Sequence, residues 1–145
     1  SREHFLRLHP GGRLGRSQTY ASDLMQPLAE LSVLFESSTL AEATEALSTP
    51  NFGLAPVVKK DTQELVGILS DGDLRRAVVR LGPQLFQEKV ANFMTCEPKV
   101  LSSTSLAIDA IRLMERHKIT SVFVVDGKQL KGLLRLHDLI SANLL

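Results

Sequence analysis

Apolar and polar positions along this chain follow two periods, and each switch between them marks an element. Short apolar runs at 33–35 and 100–101 predict strands. A helix is predicted to begin near Thr39. Thr39-Leu-Ala-Glu42 fits a capping box, in which hydroxyl and carboxylate satisfy the amides a helix start leaves over. Another is predicted from about Ser105, with Leu106, Ala110, Leu113 and Met114 on one face and Asp109, Arg112 and Arg116 on the other. Met114 in that stripe reads as core, not as a cofactor ligand. Two β-rich runs follow each helix, at 56–60 and 65–69, then at 121–125 and 130–134. The residues between them, 61–64 and 126–129, are turn formers, and Asp126-Gly127 is a hairpin signal. Closing helices are predicted at about 72–81 and 136–144.

The order β-α-β-β-α therefore occurs twice, and residues repeat with it. Gly67 aligns with Gly132, Asp73 with Asp138, Leu74 with Leu139 and Ala77 with Ala142, at a constant offset of 65. Asp61 with Asp126, and Val57 with Val122, keep that offset upstream. Met25-Gln-Pro resembles Met94-Thr-Cys-Glu-Pro. The fold class expected is α/β (α+β), built from two tandem copies of one unit.

Composition narrows the function. With 43% hydrophobic and 23% charged residues in 145, the chain is of ordinary globular type. No apolar run approaches the roughly 18 residues that span a bilayer, and charged residues from Arg2 to Arg13 interrupt any secretory core. The single Cys96 excludes an internal disulfide and fits a reducing compartment, so a cytoplasmic location is expected. Seventeen basic against sixteen acidic residues supply no general pull toward nucleic acid or a membrane surface, and neither is expected as a partner. The arginines at 2, 7, 13 and 16 read as a solvated linker. His4, His9, His117 and His137 have no metal-ligand spacing, so no metal is expected. The glycines at 11, 12 and 15 lack the preceding strand a dinucleotide loop needs.

The residues that can carry chemistry lie where the last strand of each copy meets its closing helix. In copy one the junction reads Gly67-Ile-Leu-Ser70-Asp-Gly-Asp73. Amides at a helix start receive phosphate oxygens, a serine hydroxyl donates to the same group, and an aspartate accepts from the paired hydroxyls of a ribose. The same spacing equally fits a helix cap, with Ser70 as N-cap and Asp73 near the positive helix end. In copy two the junction reads Arg135-Leu-His-Asp138: the hydroxyl is gone and the aspartate stays, which capping alone is not expected to explain. Arg135 can pair with a phosphate or with Asp138, and both readings stand.

These residues, over 23–145, resemble a pair of CBS (cystathionine-β-synthase) domains. The resemblance implies a pseudo-two-fold module with two clefts, many of which take adenosine nucleotides. Ser70 and Asp73 would line one cleft, with Arg135 and Asp138 at the other. Neighbouring strands would add Ala55, Pro56 and Val57, and Thr120, Ser121 and Val122. The second junction departs from the family pattern at Arg135.

A narrower resemblance rests on Leu8-His-Pro-Gly-Gly-Arg-Leu-Gly-Arg16, Asp23-Leu-Met25, and the stretches 62–76 and 119–140. It is to the C-terminal part of D-arabinose 5-phosphate isomerases, in which a sugar isomerase (SIS) domain precedes a CBS pair. Those enzymes interconvert D-ribulose 5-phosphate and D-arabinose 5-phosphate for the lipopolysaccharide or capsule sugar Kdo. By this resemblance His9 inherits a catalytic acid/base role, which a histidine titrating near neutrality suits. Residues 1–22 would be the tail of the SIS domain, 23–91 the first repeat and 92–145 the second. The chain alone is expected to be inactive. Its implied role is to bind a nucleotide or sugar nucleotide (AMP, ATP or CMP-Kdo) and bias the isomerase in cis, with no cofactor required. Helix faces around Leu74, Val78, Leu139 and Ile140 would join copies in a homo-oligomer. The alternative is a purely structural oligomerisation module with empty clefts.

Overall fold

In a computed structural model, which describes residues 18–145, the first copy runs through α1 (Ala21–Leu24), β1 (Gln26–Pro27), β2 (Leu34–Phe35), α2 (Leu40–Ser48), β3 (Leu54–Val58), β4 (Leu65–Ser70) and α3 (Asp71–Leu81). The second runs through β5 (Thr95–Cys96), β6 (Val100–Ser102), α4 (Ala107–His117), β7 (Ser121–Asp126), β8 (Gln129–Arg135) and α5 (Leu136–Ser141). Short 3₁₀ turns lie at Leu28–Glu30, Gly82–Gln87 and Val90–Asn92. The predicted β-α-β-β-α order is present in both copies. α1, β1, β5 and the 3₁₀ turns are not among the predicted elements.

The strands form two four-stranded sheets of one layout, β2-β3-β4-β5 and β6-β7-β8-β1. Each begins with a parallel pair, β2 with β3 or β6 with β7. A parallel pair needs a crossover, and α2 and α4 supply it. An antiparallel hairpin follows in each, β3 with β4 and β7 with β8. Residues 55–58 and 122–125 are buried without alternation, as in strands covered on both faces.

The last strand of each sheet comes from the other copy. β5 pairs antiparallel with β4, and β1 with β8. The two compact units are therefore Glu30–Pro98, and Lys99–Leu145 together with the segment up to Ala29. These differ from the sequential division at 91 and 92, because the Met-led segments that resemble one another are exchanged. The exchange accounts for the repeated glycines. A Cβ on Gly132 would lie 2.5 Å from the Gln26 carbonyl oxygen and 2.6 Å from the Met25 sulfur. A Cβ on Gly67 would lie 2.6 Å from the Met94 sulfur and 2.9 Å from the Thr95 carbonyl oxygen.

One sequence alignment is corrected. Val57 stands opposite Gly67 and Val124 opposite Gly132, so Val57 corresponds to Val124, not to Val122. The constant offset fails there because residues 59–64 separate the ladder pair Val58–Leu65, whereas only 126–129 separate Val125–Leu130.

Each unit carries its own apolar cluster. One gathers Leu40, Ala43, Leu47, Ala55, Val57, Leu69 and Ala77. The other gathers Ala107, Ala110, Met114, Val122, Val124, Leu134 and Leu139. The α4 stripe is as predicted, with Ala110 and Met114 buried and Arg112 and Arg116 exposed. α3 ends at Gly82, whose φ of 66° suits glycine. α5 stops at Ser141, short of the predicted 144: Asn143 takes a φ of 62°, and the Leu144 amide turns back to the Leu139 carbonyl at 3.0 Å.

The glycine crossings make a direct prediction. Gly132→Ala, which meets backbone at 2.5 Å, is expected to cost about 2–3 kcal/mol of stability, and Gly67→Ala, which meets backbone at the milder 2.9 Å, about 1–2 kcal/mol. Urea unfolding of the two variants checks both the size and the order.

Candidate functional site

The first junction is a strand end fastened to a helix start. The Ser70 hydroxyl accepts from the Asp73 amide at 3.1 Å, and the Asp73 carboxylate accepts from the Ser70 amide at 2.9 Å. The Asp71 amide donates to the Gly53 carbonyl at 2.9 Å, which holds the helix start against the entry to β3. Arg76 donates to the other Asp73 oxygen at 2.7 Å. Asp73 is 9% exposed, whereas the Arg76 side chain is 69% exposed. Asp73 forms one wall of a recess of about 310 Å³, beside Arg76, Arg80, Asn92 and Phe93.

This arrangement has unused capacity. A carboxylate offers about four acceptor positions, and Asp73 makes two hydrogen bonds here. Ser70 accepts through its oxygen, so its proton can still be donated. Two guanidiniums one turn apart suit a phosphate, and Phe93 offers a flat apolar surface. A larger groove of about 690 Å³ lies between β2 and α2 and contains none of the predicted residues. Its charged side chains are Glu42 and Glu45, the wrong sign for an anion.

The second junction has the same backbone and different chemistry. The Leu136 amide donates to the Thr120 carbonyl at 2.8 Å, and Ser121 stands opposite Arg135 in the ladder. Asp138 accepts from the Arg135 amide at 2.9 Å, from its Nε at 3.1 Å and from its Nη2 at 2.8 Å. Gln26, carried in on β1, donates to the same carboxylate at 2.9 Å. Asp138 is 1% exposed.

The expectation that capping could not explain Asp138 is overturned. Among the described residues all five α-helices have an acidic residue at the third helical position, Asp23, Glu42, Asp73, Asp109 and Asp138. Each accepts from the amide three residues earlier, on Tyr20, Thr39, Ser70, Leu106 and Arg135. This half of the capping box uses only backbone at the N-cap, so no hydroxyl is needed there. Of the two partners open to Arg135, the structure shows Asp138.

The predicted residues on neighbouring strands are differently placed. Ala55, Val57 and Val122 belong to the helix-facing cores, so their side chains are committed to packing. Pro56 is buried on β3, and Thr120 is exposed beside the second junction. The corrected register makes Gly53 the counterpart of Thr120, and Leu54 the counterpart of Ser121. His9 lies outside the described residues. Sequence reasoning missed Arg76, Arg80 and Gln26. Helical spacing from Asp73 could have found the arginines. Gln26 is 112 positions from Asp138 and carries no local signal. Among the described residues no group of three His, Cys, Asp or Glu side chains could hold a metal ion, and no helix is long and apolar enough to cross a membrane.

A doubled α/β unit with a capped acidic residue at each hairpin-to-helix junction defines a tandem small-domain module. The CBS domain model matches residues 21–80 and 90–144, and the chain belongs to that family. It is 36% identical to an arabinose 5-phosphate isomerase, KdsD, of Yersinia pestis over 98% of its own length and 43% of the relative. The KdsD of Salmonella typhimurium is 38% identical, over 97% of this chain and 42% of the relative. The chain thus spans less than half the length of these relatives. Among solved structures, CBSX2 in complex with AMP is 29% identical with a TM-score of 0.76, covering 87% of this chain and 96% of that one. A CBS domain-containing protein from Bacillus anthracis superposes with a TM-score of 0.80 at 18% identity, over 90% of this chain and 96% of that one, which speaks to fold alone.

The two carboxylates separate by stability. Asp138→Ala leaves a mostly buried guanidinium without its main partner and is expected to cost about 3–5 kcal/mol. Asp73→Ala removes a cap and a pair whose arginine is 69% exposed, so that the guanidinium left behind is hydrated, at about 1–2 kcal/mol. Equal losses in parallel denaturant titrations would contradict the difference in burial.

Proposed function

We propose that this chain is the nucleotide-sensing CBS pair of an arabinose 5-phosphate isomerase, and that its ligand binds at the Ser70–Asp73 junction. The observation that carries the proposal is a nearly buried aspartate with acceptor capacity left, beside a recess that also holds Arg76 and Arg80. Asp73 accepts from the ribose hydroxyls. The Ser70 hydroxyl and the Gly72 amide receive phosphate oxygens, the Asp71 and Asp73 amides being committed to the Gly53 carbonyl and the Ser70 hydroxyl. Arg76 is exposed enough to turn from Asp73 toward the phosphate, with Arg80 behind it. AMP, ATP and a sugar nucleotide such as CMP-Kdo all offer this combination of diol and phosphate.

Identity to KdsD relatives supports the parent activity, aldose–ketose isomerisation between D-ribulose 5-phosphate and D-arabinose 5-phosphate in Kdo synthesis. In that reading a SIS domain lies in cis and contains the active site, His9 belongs to that site as an acid/base group, and the chain alone has no isomerase activity. No cofactor takes part, and the parent enzyme works in the cytoplasm. A second reading, a structural module that joins copies, draws on exposed apolar residues of α3, Val78 at 46% and Val79 at 84%.

Thermal shift and calorimetry with AMP, ATP and CMP-Kdo decide between them. Saturable binding is expected, weakened roughly tenfold or more by Asp73→Ala, as loss of hydrogen bonds to a charged acceptor implies. Binding by no member of the panel would leave the structural reading.

A further inference from the structure

We infer that Arg135 keeps the second junction closed, so that the chain has one nucleotide site, and that a hydroxyl at position 135 would open another. The inference rests on the reading of the Ser70–Asp73 junction as a ligand site. It starts from the acceptor positions on Asp138. Gln26 and Arg135 Nη2 take one oxygen, at 2.9 and 2.8 Å. The Arg135 amide and Nε take the other, at 2.9 and 3.1 Å. Four hydrogen bonds fill what a carboxylate can accept, and leave no position for a ribose diol.

The guanidinium is also held more firmly than its counterpart. Arg135 makes two side-chain bonds to Asp138, one to each oxygen, whereas Arg76 makes one to Asp73. The Arg135 side chain is 21% exposed against 69% for Arg76. A ligand at the second junction would have to expel a charged group from a poorly hydrated place and then accept it as a neighbour. The hydrogen-bond donors that a ligand diol would bring are already supplied by the chain itself. Arg135 thus acts through Asp138 as the residue that determines how many ligands bind.

The test is the number of AMP molecules bound per chain, measured by calorimetry on the parent and on Arg135→Ser. Serine restores the N-cap hydroxyl that copy one carries, so the helix start is kept. Arg135→Thr serves if the first variant aggregates. The expected result is one AMP for the parent and two for the variant, with the second lost again in Arg135→Ser/Asp138→Ala. A parent that binds none and a variant that binds one would support closure by Arg135 while overturning the ligand site at Ser70–Asp73. Equal numbers for parent and variant, whether none, one or two, would overturn the inference.

Discussion

Each hairpin hands the chain to its closing helix through one carboxylate that accepts the amide three residues before it. That bond fastens the start of α3 to the end of β4, and the start of α5 to the end of β8. It uses one carboxylate oxygen and leaves the other to the side chains nearby. In copy one the neighbour is an exposed arginine, so Asp73 keeps capacity for a ligand. In copy two the neighbours are Arg135 and Gln26, and the carboxylate is filled from within. The same structural bond thus underlies two junctions of unequal chemistry, and duplication of the fold does not by itself duplicate a binding site.

The inequality comes from different side chains placed by one shared topology. Exchange of the leading strands brings β1 alongside β8 and sets Gln26 against Asp138. Its counterpart in copy one is Thr95 on β5, which is exposed and too short to do the same. The crossings require glycine at 67 and 132, because backbone and a methionine lie where a side chain would begin. The exchange is the same in both units, so the residue that stands at 26 or 95 decides what reaches each carboxylate.

Much of this was legible from residue order, and the failures have physical reasons. Hairpins, crossover helices and the Thr39 cap follow from period and local chemistry, which act over a few residues. Exchange of the two leaders does not, since pairing of Pro27 with Gly132 depends on contacts across most of the chain. A constant offset misaligned Val57 because a turn two residues longer leaves the surrounding pattern intact. The role of Asp138 is hidden in the sequence because position 135 has no hydroxyl, whereas the carboxylate needs only the backbone amide there. Arg76 and Arg80 sit one turn apart after Asp73 and were open to discovery from helical spacing alone.

An amide NMR titration with AMP reads both junctions at once. Saturable shifts are expected at Ser70, Gly72 and Asp73, with the Arg135, His137 and Asp138 signals unmoved. Shifts of equal size at both junctions, or at the second alone, would contradict the assignment of an open and a closed site.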